Sequence, residues 1–60
     1  MSYDFHIAKD MARTLASRFG TGFVNYVPHD GYYATTFQTA NTIGTMTKAG
    51  KFSVWRGQKY

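Results

Sequence analysis

Lys48, Lys51, Arg56 and Lys59 are the only charged side chains after Asp30, and Tyr32, Tyr33, Phe37, Phe52, Trp55 and Tyr60 interleave with them. Cations of this kind contact phosphates, and aromatic rings beside them stack on bases. The acids sit elsewhere. Asp4, Asp10 and Asp30 balance Lys9, Arg13 and Arg18 in the first half, so the whole net charge of +4 belongs to the second. The chain contains no Glu. That asymmetry points to an anionic partner, nucleic acid or a nucleic-acid-bearing protein complex.

Other chemistry finds less support. His6 and Asp10 stand at i, i+4, which suits two metal ligands on one helix face, but two ligands do not make a site. His29-Asp30 lies in a turn. Ser17 and Ser53 belong to no nucleophile motif, and sixty residues leave little room for a water-excluding cleft. The six Gly are scattered and form no phosphate loop. No catalytic residue, metal or cofactor is expected. Lys9, Arg13 and Arg18 alternate with Asp10 and small residues, which reads as a solvated helix face.

Sixty residues make one domain, and a chain this short buries only ~60% of its unfolded surface. Without Cys, no disulfide or thiolate-bound metal reinforces it. Five Tyr, five Phe and one Trp must compensate, because aromatic rings bury the most area per residue. A homodimer or an obligate partner would relieve the deficit. Met1 is followed at once by polar and charged residues, so no secretory leader is expected. The longest uncharged run, 31–47, is too polar and too short to span a bilayer. The expectation is a soluble cytoplasmic protein with no membrane partner.

These residues need elements to position them. From Asp4 to Phe19, Ile7, Met11 and Leu15 recur at i, i+4, i+8, with Ala8, Ala12 and Phe19 in adjoining rows. That is an amphipathic helix of about four turns. Ser2 or Asp4 can cap its start, Arg18 suits its last turn, and Gly20 its C′ position. Residues 23–27 are β-branched and aromatic and read as a strand; 32–37 form its hairpin partner across Pro28-His29-Asp30-Gly31. In 51–56, Phe52 and Val54 alternate with Ser53 and Trp55, giving a third strand. If Phe52 and Val54 face the core, Trp55 is free to act as a binding anchor.

Residues 38–48 pull two ways. On a helical wheel Gln38, Asn41, Thr42, Thr45 and Lys48 share a face roughly 120° wide, opposite Phe37, Ala40, Ile43 and Met46. Amphipathicity therefore favours a short helix ending at Ala49-Gly50, whereas the many Thr favour a strand or an irregular crossover. The expected helix would present an acid-free face able to read base edges or hold phosphates.

The expected architecture is α+β: the first helix lays its Ile7/Met11/Leu15 stripe on a small antiparallel sheet, strands near 23–27, 32–37 and 51–56, with the short helix near 38–48. A second assembly exists. An amphipathic helix ending in Lys48-Ala49-Gly50, a strand and a Gly-containing basic turn resembles the winged-helix variant of helix-turn-helix domains over about twenty residues. The helix that should precede the recognition helix is not evident. The functional expectation is a non-enzymatic basic module that binds through Gln38, Asn41, Thr42, Thr45, Lys48, Lys51, Trp55, Arg56 and Lys59. The alternative is an inhibitor or adaptor of the phage type, of the anti-restriction or anti-CRISPR class, docking on a host protein. Only small size and aromatic density suggest it.

Overall fold

The computed structural model describes residues 4–55. Helix α1 (Phe5–Phe19) is followed by strands β1 (Thr21–Val27), β2 (Gly31–Thr35), β3 (Thr42–Thr47) and β4 (Phe52–Val54). The strands form one antiparallel sheet in the order β2-β1-β3-β4, and α1 packs on one of its faces. This is the α+β class that the sequence implies. No helix among the described residues is long and apolar enough to cross a membrane.

The helix begins where the side chain of Asp4 accepts the Ile7 N–H at 2.9 Å. It ends where Gly20, at φ 98°, donates its N–H to the Ala16 carbonyl at 2.8 Å. Its buried row is Ala8, Ala12 and Ala16, not the larger Ile7/Met11/Leu15 stripe. Ile7 is 44% exposed, Met11 38%, and Leu15 is half-buried. Gly22 explains the difference. A Cβ there would overlap the Ala12 carbonyl oxygen and stand 2.8 Å from its carbon. The helix backbone thus rests directly on β1, and only methyl groups fit in the seam. Ala8, Ala12, Ala16, Val24, Ile43 and Met46 make the core, and Phe5 seals one end by packing edge-on to Tyr32 and Phe52.

The β1–β2 hairpin matches its sequence signal. Asp30 N–H bonds Val27 O across the turn, and Phe23↔Thr35 to Val27↔Gly31 pair in unbroken register. Residues 42–47 correct the expected short helix: they are β3, so the segment carrying the winged-helix pattern is a strand. Thr42, Thr45 and Thr47 supply β-branched side chains that suit it. The missing alternation has a local cause. The β1–β3 register shifts between Val24 and Asn25, where Val24 opposes Gly44 and Asn25 opposes Thr42. Ile43 is the extra residue of this bulge, and it joins Met46 in the core. Gly50, which would have capped a helix, instead closes the β3–β4 turn at φ 86°, its N–H donating to Thr47 O at 2.9 Å.

Strands β2 and β3 flank β1 and run parallel to each other, so 36–41 must cross over β1. It crosses on the face away from α1, above Asn25. Asn25 is wholly buried, and its Oδ1 accepts from Thr39 Oγ1 at 2.5 Å and Thr42 Oγ1 at 2.7 Å. Its Nδ2 lies within bonding distance of Thr35 Oγ1 (3.1 Å) and of the Phe23 and Tyr33 carbonyls (3.3 Å each). One amide therefore ties the crossover to three strands.

Candidate nucleic-acid interface

Alternation along the strands divides their side chains between two faces. Val24, Met46 and Phe52 lie under the helix. Phe23, Thr45 and Ser53 are adjacent across β1, β3 and β4 on the other face, with no helix among the described residues over them. Trp55 follows β4 with the same parity as Ser53. Its N–H donates to Ile43 O at 2.8 Å, and its side chain is half-buried. Gln38 and Asn41 belong to the crossover on this same face, and both are exposed. Asn41 Nδ2 donates to the Tyr33 hydroxyl at 3.3 Å. Gln38, Asn41, Thr45 and Trp55 thus share the helix-free face, although 38–48 is not a helix.

Thr42 is buried and its hydroxyl is committed to Asn25 while accepting the Thr39 N–H at 2.9 Å. Lys48 and Lys51 are exposed in the β3–β4 turn, a strand length (~20 Å) from the crossover. Arg56 and Lys59 lie outside the described residues.

Arg13 joins this turn from the helix. Its Nε lies 3.4 Å from where a Cβ on Gly50 would stand. Lys9, one turn earlier, holds its Nζ 5.4 Å from the Phe5 ring centroid and 5.3 Å from that of Phe52. Lys9 and Arg13 therefore occupy the flank of α1 that faces β4, so cations from two elements gather on one rim. Asp30, by contrast, sits in the β1–β2 turn. That carboxylate is at the opposite end of β1 from the β3–β4 turn. In the sequence alone Arg13 has the character of a solvated side chain. Its i, i+4 spacing from Lys9 was the only available signal, and it does not say which strand the pair overlies.

The fold and this rim define a class: a small α+β domain with one helix-covered sheet face, one helix-free face, and a basic end. Comparison with models of protein families, with curated proteins and with solved structures returned no match.

Proposed function

We propose that the chain is a non-enzymatic binding module for nucleic acid, or for a protein assembly that carries it. The convergence of Arg13 with Lys48 and Lys51 at the β3–β4 turn supports this reading most directly. Phosphates would lie along that rim, and the face bearing Phe23, Thr45 and Trp55 would receive bases or sugars. Arg56 and Lys59 continue the same basic sequence.

Binding to labelled single- and double-stranded DNA and RNA at two salt concentrations tests it. If Arg13, Lys48 and Lys51 each neutralise one phosphate, affinity falls roughly 20-fold for single strands and 40-fold for duplex between about 50 and 200 mM salt. Lys48→Glu with Lys51→Glu should abolish binding while leaving the circular dichroism spectrum unchanged, since both side chains are exposed. Salt-independent affinity, or undiminished binding by the double variant, would refute the proposal. Salt-insensitive capture of a protein would instead favour an inhibitor or adaptor.

A further inference from the structure

The flank of α1 opposite Lys9 and Arg13 carries Ile7, Met11 and Leu15, the apolar stripe that the Ala row displaced from the core. Met11, Thr14, Leu15 and Ala34 line a groove of about 340 Å³ between this flank and β2. Below the groove, β2 is an outer strand of the sheet. Its sequence, Gly31-Tyr32-Tyr33-Ala34-Thr35, contains no charge and no Pro, and its register with β1 is unbroken. Natural edge strands are usually guarded by charge, Pro or a bulge. The other edge, β4, is three residues long and is flanked by Lys51 and Arg56. An open strand edge beneath an exposed apolar flank is a self-pairing surface, and among the described residues only the β2 edge has it.

We propose that this surface binds a second copy of the chain, β2 pairing antiparallel with β2 of its partner to make one eight-stranded sheet. The two-fold axis lies beside the middle of β2 and sets the two helices antiparallel, their flanks in contact. The residue pattern is complementary to itself under that operation. Asp4, Ile7, Met11, Leu15 and Arg18 fall within about 80° on the helix and are spaced symmetrically about Met11. An antiparallel copy therefore sets Met11 against Met11, Ile7 against Leu15, and Asp4 against Arg18, so every apolar residue meets an apolar one and each charge its opposite. Met11 and Ala34 line the same groove, so the centre of the stripe sits above the centre of the strand. With strands ~4.8 Å apart and α1 seated over β1 and β2, the helix axes come to about 10–14 Å. Met and Leu side chains fill that gap. This inference goes beyond the nucleic-acid reading and does not depend on it, because the basic rim lies at the other side of the sheet.

Sedimentation equilibrium on the native chain, with no nucleic acid, should give twice the 6.8 kDa chain mass at micromolar concentrations. The chain has no Cys, so Met11→Cys introduces a single thiol at the two-fold axis. It should yield a disulfide-linked dimer under mild oxidation, whereas Ser17→Cys, exposed on the far side of the helix, should not. Arg18→Asp should weaken dimerisation about tenfold. A monomer mass up to several hundred micromolar overturns the proposal. So does a dimer in which Met11→Cys cross-links no better than Ser17→Cys, since it would use another face.

Discussion

Substituting Gly22 by Ala tests the seam on which the fold depends. A Gly→Ala change in a strand normally stabilises by ~0.4–1 kcal/mol, because it restricts the unfolded chain. Here the added methyl would stand 2.8 Å from the Ala12 carbonyl carbon and 2.9 Å from its Cα. Both are backbone atoms, so no rotamer change relieves the overlap, and truncating the Ala12 side chain would not either. The helix must retreat by roughly 1 Å, a gap that forfeits a quarter to a half of each contact well. If roughly 50 atom pairs cross the seam at ~0.15 kcal/mol each, losing a third of that costs ~2.5 kcal/mol, within the ~1–3 kcal/mol typical of overpacking. Net destabilisation is then about 2 kcal/mol, against a total of ~3–9 kcal/mol for a domain this size. Thermal unfolding followed by far-ultraviolet circular dichroism should show the midpoint drop by about 8–16 °C. Gly22→Val should be worse. A midpoint unchanged or raised for Gly22→Ala would refute the close helix–strand approach, and with it the reason the Ala row is buried.

Asn25→Ala removes the amide that fastens the crossover and leaves the Thr39 and Thr42 hydroxyls short of an acceptor. It should cost about 2–4 kcal/mol in urea unfolding, and hydrogen exchange at the Thr39 and Asn41 amides should accelerate. Asp4→Ala deletes the cap on the Ile7 N–H and should lower the midpoint by about 4–8 °C, while Asp4→Asn, which keeps an acceptor and loses only the charge, should lower it by less.

What the sequence disclosed, it disclosed where the determining interactions are local. The first helix has its cap, its Gly stop and its periodicity within one segment. The β1–β2 hairpin has Pro28, Asp30 and Gly31 in the turn that joins its strands. Strand β3 was hidden because its alternation is broken by a bulge at Ile43, and that bulge exists only through pairing with β1, about twenty residues away. The buried face of α1 was misread for a related reason. Hydrophobic periodicity ranks side chains by size, but the choice of face was made by a glycine on another element, which admits Ala and excludes Met. For the candidate site, charge asymmetry was enough to single out Lys48 and Lys51. It could not add Arg13, whose place beside Gly50 follows from how the helix lies on the sheet. Nor could it foresee that the Thr42 hydroxyl is taken up by Asn25.

The close Ala–Gly seam has a consequence for the surface. A helix that sinks onto its sheet through methyl groups cannot also bury Ile7 and Met11, so these emerge on the β2 side. The same rotation turns Lys9 and Arg13 toward β4 and the β3–β4 turn. One packing choice therefore separates apolar from basic surface and assigns each to its own edge. Had the Ile7/Met11/Leu15 stripe faced the sheet, the cations would have pointed into solvent, away from Lys48 and Lys51.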